Sequence, residues 1–437
     1  MKILIITFAF PPLNRIASSR PYSWAKYWSR LGHEVAVVTK KKTAVDGALN
    51  FAYTSDDLAG VRMMELQAWP FRLKKPAPET AEQAKRGSRA LTALRDYFLA
   101  LQAMKHADFW LLPAARKLMR FHRAFPFEIV VSTFGPPGGH LLASYLKEKL
   151  NLFWVADYRD LWYGNHFVNR SWLSNRLADI IESKIVYKAD LITTVSSGLQ
   201  ARLSERFSCP VVKIENGFDE ESLQEAGGER QSYFPDDGKF RIVYTGSLYP
   251  GFQDPSPLFE ALQLLSQKGF PVENKIEVLF YGSRLGNIQS LVDRYGLSNI
   301  VKMPGFVSRE DSLRIQRSAG ALLFLEWEGP GGESIITGKL FEYLFSGKPI
   351  LNVGGQTDQS ESISLIKKFD AGIIAGKSAP FIAGTLEQMV GKPFYMDQHE
   401  EAREALQQYS RKHLAEKMIK IIGEYYGSIG DSGRDIV

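Results

Sequence analysis

Short runs of apolar, largely β-branched residues alternate with amphipathic segments along most of the chain. In the first half these runs lie at 2–8, 34–39, 127–133, 152–157, 190–195 and 211–215. A second series lies at 240–245, 276–281, 300–303, 320–325 and 349–353. Buried runs that alternate with helical patterns are typical of a parallel sheet covered by helices on both faces. We therefore expect an α/β protein.

A polar stretch without apolar periodicity separates the two series. It covers about 222–238 and contains paired glycines, so it is typical of a linker. We predict two Rossmann-like, doubly wound domains, one over 1–222 and one over 223–400. The helical segment over 401–437 is expected to return to the first domain. Such sheets bind ligands at the carboxyl ends of their strands, so we expect the site in a cleft between the two domains.

Residues 70–126 interrupt the alternation, because they contain no clear strand. Lys and Arg far outnumber Asp and Glu there, and aromatic and aliphatic residues are interleaved with them. We predict a basic helical insertion. A basic amphipathic helix with aromatic residues suits an anionic membrane surface, and we favour that partner. The alternative is a helix that packs on its own domain and exposes a solvated basic face.

Composition limits the classes of function. The 437 residues carry a formal charge of +6, which suits anionic partners, but no nucleic-acid-binding module is recognisable. Cys209 is the sole cysteine, so an internal disulfide and a cysteine-coordinated zinc site are both excluded. The apolar start resembles a buried strand more than a signal peptide, and no run has the length of a membrane span. We expect a cytoplasmic protein, either free or peripheral on the inner face of the membrane.

Two loops of the first domain place small residues at a strand-to-helix junction. Arg15 lies in the loop 11–21, while Gly135 opens a second loop that ends near His140 at the start of a helix. Backbone N–H groups and the helix dipole attract anions at such junctions. Both loops are candidate binding sites. The alternatives are a plain connecting loop and a helical histidine whose side chain is satisfied internally.

Two carboxylates and a guanidinium follow the apolar run at 152–157. They belong to Asp157, Arg159 and Asp160, at a position where such sheets bind substrates. Carboxylates accept hydrogen bonds from hydroxyl groups, and one of them could act as a general base. The alternative is a buried Asp–Arg pair that holds the loop. We favour a functional role, most strongly for Asp160.

Two strands of the second domain end at a glycine. Gly246 is followed by Ser247, and Gly282 precedes Arg284 by two residues. Each turn could bring the backbone close to a phosphate or a nucleobase, and Arg284 could pair with the phosphate. Either turn could also be an ordinary strand-to-helix connection.

The glycine-rich stretch 328–350 is the most informative. A loop that includes Gly332, Glu333 and Ser334 leads into a helix that contains Lys339 and Glu342. Free N–H groups at a helix start suit a diphosphate, which Lys339 could neutralise. Glu342, about one turn further along, could accept both hydroxyls of a ribose.

The order and spacing of these parts resemble glycosyltransferase family 4, the retaining enzymes of the GT-B fold. The resemblance covers nearly the whole chain. It is carried by Pro11-Pro12, Gly32 to Val35, Asp157 to Trp162, Val195-Ser196, Asn216 to Asp219, Gly246, Gly305 to Val307 and Lys339 to Pro349. The variants at 20–24 and 157–160 are similar to those of bacterial enzymes that build surface polysaccharides, among them lipopolysaccharide.

The resemblance implies roles for individual residues. Glu342 matches the glutamate that binds the donor ribose, and the loop with Phe306 falls where the nucleobase binds. Two positions depart from the family. Ser334 stands where a first glutamate is typical, with Glu333 one place earlier, and Ser247 replaces a diphosphate-binding arginine. We expect Asp160 and Glu333 to be catalytic, and Arg15, Gly135, His140, Asp157 and Arg159 to bind the acceptor or the sugar.

The expected activity is transfer of a sugar from a nucleotide-sugar donor to a saccharide or lipid-linked saccharide, with retention of configuration. No cofactor is expected and no metal, since no suitably placed D-x-D pair occurs. One alternative is a nucleotide-sugar epimerase of the same fold. Another is a non-catalytic scaffold that only binds nucleotide sugar.

Overall fold

The computed structural model describes residues 1–13, 16–43, 46, 49, 55–67, 111–165, 172–221, 232–329, 331–355, 360–391 and 400–432. The chain divides into two compact units. The first comprises Met1–Val195, Leu199–Glu215 and Ala415–Val437, and the second comprises Ser196–Gly198 and Asn216–Leu414. The units therefore divide near 215, a few residues before the linker that the sequence indicates, and the residues from Ala415 onward group with the first unit.

A seven-stranded parallel sheet forms the centre of the first unit, with the strand order β3-β2-β1-β4-β5-β6-β7. Its strands are β1 Lys2–Ile6, β2 Glu34–Lys40, β3 Val61–Leu66, β4 Ile129–Thr133, β5 Phe153–Tyr158, β6 Leu191–Thr194 and β7 Val211–Lys213. The central strands are buried along their whole length, as a sheet covered on both faces requires.

Helices cover this sheet. Those of the first unit are α1 Ile16–Arg30, α2 Leu111–Ala124, α3 Gly138–Leu150, α4 Trp172–Val186 and, from Leu199 onward, α5 Ser197–Arg206, with a 3-10 turn at Ser55–Leu58. α2 is the part of the predicted basic insertion that the structure describes. Its Ala114 and Leu118 join the hydrophobic core of the unit. Residues 68–110, which carry most of that predicted insertion, lie outside the described residues.

A six-stranded parallel sheet forms the second unit, with the order β10-β9-β8-β11-β12-β13. Its strands are β8 Phe240–Thr245, β9 Ile276–Tyr281, β10 Val301–Gly305, β11 Ala321–Leu325, β12 Ile350–Val353 and β13 Gly372–Gly376. Separate apolar clusters fill the two faces of the sheet. The prediction of two Rossmann-like, doubly wound domains with parallel sheets is confirmed.

The remaining helices follow the strands of the second sheet in turn. They are α6 Ser256–Gln267, α7 Val272–Lys275, α8 Ile288–Arg294, α9 Arg309–Ser318, α10 Gly338–Ser346, α11 Glu361–Lys368, α12 Ala379–Gly391, α13 Glu400–Gln407 and α14 Arg411–Ser432, with a 3-10 turn at Gly332–Ser334. From Ala415 onward α14 packs within the first unit, because Trp28 Nε1 donates to the carbonyl oxygen of Ala415 at 2.8 Å and Tyr426 lies edge-on to Phe153.

Candidate functional site

Three glycines bring the ends of β8, β9 and β10 into backbone contact. Gly246 N–H donates to the carbonyl oxygen of Tyr281 at 2.8 Å, and Gly282 N–H donates to that of Gly305 at 2.9 Å. A Cβ atom at Gly282 would lie 2.2 Å from the carbonyl oxygen of Gly246. Gly246 also has a φ of +112°, which favours glycine. The carboxyl edge of this sheet is therefore lined by closely packed backbone.

Lys339, the second residue of α10, lies directly beside Gly246. Its Nζ is 3.5 Å from the centroid of the Tyr244 ring, and a Cβ at Gly246 would lie 3.3 Å from its Cε. Among the described residues it has neither an ion pair nor a hydrogen bond. Burial lowers the pKa of Lys339 to about 7, although the nearby Glu342 carboxylate raises it. A cation held here without a counter-ion suits an anionic ligand.

The start of α10 leaves backbone donors available to a ligand. Its N-cap residue Thr337 has an extended backbone but makes no side-chain cap, and its buried Oγ1 has no hydrogen-bond partner within the described residues. The preceding turn is tight, because a Cβ at Gly332 would lie 2.5 Å from the carbonyl oxygen of Trp327. The free N–H groups of a helix start attract anions, and Lys339 lies in the same turn.

Glu342 lies one turn further along α10 and is 7% exposed. Its Oε1 accepts a hydrogen bond from Arg309 Nη1 at 2.9 Å, and Gln316 Nε2 approaches its other oxygen at 3.5 Å. Gln316 Nε2 also donates to Thr245 Oγ1 at 3.0 Å. Helix α9 thus fixes the Glu342 carboxylate at the same sheet edge as Lys339. The sequence did not indicate Arg309 or Gln316, because their contacts depend on how α9 packs against α10.

The other residues predicted to bind the donor lie around this edge. Ser247 accepts a hydrogen bond at its carbonyl oxygen from the Tyr244 hydroxyl at 2.7 Å, and the carbonyl oxygen of Arg284 accepts one from Leu248 N–H at 2.8 Å. The Arg284 side chain is exposed, and Phe306 after β10 is 60% exposed. The Ser334 side chain lies outside the described residues.

Glu333 lines a pocket of the second unit whose lining does not include Glu342 or Lys339. The pocket has a volume of about 330 Å³ and is lined by Glu326, Glu328, Glu333 and Lys377, among others. Lys377 Nζ is 2.8 Å from Glu328, and the buried Glu326 accepts hydrogen bonds from Asn352, Ser360 and Ser362. The sequence did not indicate a role for Glu326, which directly follows the buried β11, and it included Glu328 only as the first residue of the glycine-rich stretch.

In the first unit, Asp157 is completely buried at the end of β5. Its Oδ1 accepts hydrogen bonds from Arg20 Nη2 and from Thr193 Oγ1, both at 2.8 Å. Arg20 Nη1 donates to the carbonyl oxygens of Ile214 and Glu215. Asp157 therefore belongs to a buried Asp–Arg pair, the alternative left open by the sequence. The arginine is Arg20, distant along the chain, and not the nearby Arg159.

Arg159, Asp160 and Gly135 meet at the ends of β4 and β5. Arg159 Nε lies 3.3 Å from Asp160 Oδ2, and about a third of the Asp160 side chain is exposed. A Cβ at Gly135, whose φ is +105°, would lie 2.8 Å from Arg159 Nη2. The three residues form an accessible polar cluster, so Asp160 is a better candidate than the buried Asp157 for contact with a substrate.

His140 is completely buried in α3. Its Nδ1 lies 2.8 Å from Ser132 Oγ, which also accepts a hydrogen bond from Trp154 Nε1. Burial lowers the pKa of His140 to about 3, with the Asp157 charge acting in the opposite direction, so the imidazole is neutral near pH 7. The side chain is buried in the core, and its Nε2 has no hydrogen-bond partner among the described residues, so the alternative of an internally satisfied histidine holds for Nδ1 alone. Arg15 lies outside the described residues.

Comparison with known proteins bears on the class of this fold. Residues 17–217 match the family profile described as Glycosyl transferase 4-like domain. None of the curated proteins matches the chain significantly in sequence. Sucrose-phosphate synthase from Thermosynechococcus elongatus has a similar structure, with a TM-score of 0.63, 15% identity and coverage of 98% of this chain and 99% of that one.

Two further structures show the same architecture. Anabaena HepE in complex with UDP has a TM-score of 0.60 at 14% identity, covering 97% of this chain and 100% of that one. UDP-GlcNAc 2-epimerase from Methanocaldococcus jannaschii has a TM-score of 0.50 at 11% identity, covering 97% and 100%. The chain thus has the GT-B fold, and its residues 17–217 are similar to glycosyl transferase 4-like domains.

Two kinds of feature are absent from the part of the chain that the structure describes. None of the helices there is long and apolar enough to cross a membrane. No group of three or more His, Cys, Asp or Glu side chains is arranged to hold a metal ion in the same residues.

Proposed function

We propose that this protein is a glycosyltransferase that moves a sugar from a nucleotide-sugar donor to a hydroxyl group of a saccharide or lipid-linked saccharide. The observation that carries the proposal is the arrangement of Lys339, the uncapped start of α10 and Glu342 at one sheet edge. A lysine that makes no ion pair within the described residues, beside the N–H groups of a helix start, suits a diphosphate, and a fixed carboxylate one turn away suits a ribose.

The donor would bind as follows. Its diphosphate accepts hydrogen bonds from the N–H groups of α10 and pairs with the protonated Lys339. The negative charge of the diphosphate raises the pKa of Lys339. The ribose hydroxyls donate to Glu342, which Arg309 and Gln316 hold in place. The exposed ring of Phe306 offers a surface on which the nucleobase can stack.

The chemistry then needs a stabilised leaving group and a positioned acceptor. The donors that bind the diphosphate also stabilise the charge that develops on it as the glycosidic bond breaks. We propose that Asp160, with Arg159 and Gly135, orients the acceptor and that Glu333 contributes to catalysis. The acceptor oxygen attacks the anomeric carbon from the face of the leaving group while the bond from that carbon to the diphosphate oxygen breaks. The acceptor proton passes to the departing diphosphate, the configuration is retained, and no step requires a metal.

The cellular setting is part of the same proposal. The family 4 resemblance and the basic residues at 70–126 support a cytoplasmic enzyme of bacterial cell-surface polysaccharide synthesis that works against the inner face of the membrane. The partners would be a nucleotide sugar and an acceptor saccharide, with no nucleic acid.

A thermal-shift screen against UDP-, GDP- and dTDP-sugars tests donor binding, because a ligand specific to the folded state raises the apparent stability. The donor that binds is then incubated with the protein alone and with candidate acceptors, and the products are analysed by NMR. Transfer that depends on the acceptor and keeps the anomeric configuration supports the proposal. An epimerised donor formed without acceptor would identify an epimerase instead, and binding without any turnover would identify a scaffold.

A further inference from the structure

The outer face of α4 in the first unit is unusually apolar for a surface helix. Trp172 is 77% exposed, Tyr187 65%, Ile180 48% and Leu173 40%. At 3.6 residues per turn, Trp172, Leu173 and Ile180 fall within about 100° of the helix circumference, and Tyr187 directly follows the last residue of α4. Their clustering distinguishes them from the single exposed apolar residues that are normal on protein surfaces.

The inner face of α4 already makes the contacts that hold the helix on its unit. Ala178 and Val186 are in the hydrophobic core, and the buried Glu182 accepts a hydrogen bond from the Tyr158 hydroxyl at 2.9 Å. Asp179 pairs with Arg206 at 2.6 Å on the flank. Within the described part of the unit, the hydrophobic core includes residues of the inner face and none of the four exposed apolar side chains.

The charges along the outer face have one sign. Arg176 and Lys184 are both exposed and lie between or beside the apolar residues. Lys184 has no ion-pair partner among the described residues, whereas Arg176 forms an ion pair with the flanking Asp179, with 3.6 Å between Nη1 and Oδ2. Of the two acidic residues of the helix, Glu182 is buried, and Asp179 is partly buried at the edge of the exposed arc, where it also pairs with Arg206. A surface with cations and no exposed carboxylate complements an anionic partner.

We infer that the outer face of α4 docks on an anionic lipid bilayer. Trp172 and Tyr187 are amphipathic aromatics that suit the headgroup level, while Leu173 and Ile180 supply apolar area that enters the acyl boundary. Arg176 and Lys184 attract the anionic headgroups. The helix lies on the membrane and does not span it. This surface is separate from the predicted segment 70–126, and the inference does not depend on transferase activity.

The test is co-sedimentation of the full-length protein with vesicles of phosphatidylcholine alone or mixed with phosphatidylglycerol. We expect binding to the mixed vesicles and little to the neutral ones. Replacing both cations (Arg176→Gln with Lys184→Gln) should weaken binding about 30-fold. Replacing three apolar residues (Trp172→Ser, Ile180→Ser and Tyr187→Ser) should weaken it at least about tenfold.

Two matched controls make the result specific. Lys417→Gln with Lys420→Gln removes the same net charge from exposed positions of α14, and Phe381→Ser removes an exposed aromatic ring of α12. Both should bind like the wild type, and thermal unfolding checks that every variant is folded. The inference is overturned if the wild type does not bind anionic vesicles, or if the α4 variants bind as it does. It is also overturned if those variants dissociate an oligomer in light scattering, because a second copy would then cover the face.

Discussion

Arg309 Nη1 lies 2.9 Å from Oε1 of Glu342, so the residue that opens α9 fixes the carboxylate proposed to bind the donor ribose. A carboxylate held in one position by a guanidinium can accept two hydroxyl hydrogen bonds without first losing side-chain freedom. Arg309 also supplies a compensating positive charge to Glu342, which is only 7% exposed at this sheet edge.

Replacing this carboxylate by its amide tests the ribose contact. We expect Glu342→Gln to lower kcat/KM for the donor roughly 10- to 100-fold, since hydrogen bonds to a charged group are lost. Steady-state kinetics with varied donor measures the effect. Glu310→Gln, an exposed neighbour in the first turn of α9, is the control and should behave like the wild type. Equal effects of the two substitutions would argue against a ribose contact.

Lys339 should give donor binding a distinctive pH dependence. Its pKa of about 7 means that it is protonated below pH 7 and increasingly neutral above. Because the diphosphate binds the charged form, the apparent Kd should rise by up to about tenfold per pH unit above 7 until the pKa of the complex is approached. Calorimetric titration between pH 6 and 9 measures this slope. Lys339→Met should bind weakly and lose the slope, and a wild-type affinity that does not change with pH would contradict the assignment.

The buried His140 should destabilise the fold in acid. Its pKa is about 3 in the folded protein, against 6.5 for an ordinary solvated histidine, so below pH 6.5 the unfolded chain takes up a proton that the folded chain does not. This contribution to stability is complete above pH 6.5 and is lost as the pH falls towards 3, by up to about 1.4 kcal/mol per unit. Urea unfolding at pH 7 and pH 5 measures it. His140→Phe should remove most of the difference, and an unchanged pH dependence in that variant would count against a neutral histidine.

Substitutions of the two carboxylates at the end of β5, Asp157 and Asp160, should affect stability and activity differently. Asp157→Asn leaves the buried Arg20 without a compensating charge, and we expect a loss of about 3–5 kcal/mol in the free energy of unfolding. Asp160→Asn, at a partly exposed side chain, should change stability by less than about 0.5 kcal/mol but reduce turnover. Denaturant unfolding and activity assays on both variants measure the contrast. A strongly destabilised Asp160→Asn variant, or a stable Asp157→Asn variant, would contradict a structural role for Asp157 and a functional role for Asp160.

The sequence predicted the strands that are buried on both faces more readily than the edge strands. The runs at 127–133 and 240–245 correspond to β4 and β8, because continuous apolar residues mark a buried parallel strand. It gave no sign of β3 or β13. β3, Val61–Leu66, is an edge strand with exposed Arg62 and Glu65, and β13 is short and bounded by glycines.

The parts of the candidate site that lie in short segments directly after a strand could be predicted from the sequence. The glycine turns at Gly246 and Gly282 and the helix with Lys339 and Glu342 could be placed at one sheet edge because parallel strands all end there. Partners from distant segments could not be predicted. Arg20 with Asp157, and Arg309 with Glu342, meet through tertiary packing that no local pattern encodes.

Direct titration of the protein with the nucleotide sugar selected by the thermal-shift screen tests the central claim. Calorimetry on the wild type, Lys339→Met and Glu342→Gln gives the Kd of each at pH 7. We predict measurable binding by the wild type and at least about tenfold weaker binding by each variant, as loss of a charge-assisted contact requires. Equal affinity in all three proteins, or no binding of any nucleotide sugar to the wild type, would contradict a donor site built on Lys339 and Glu342.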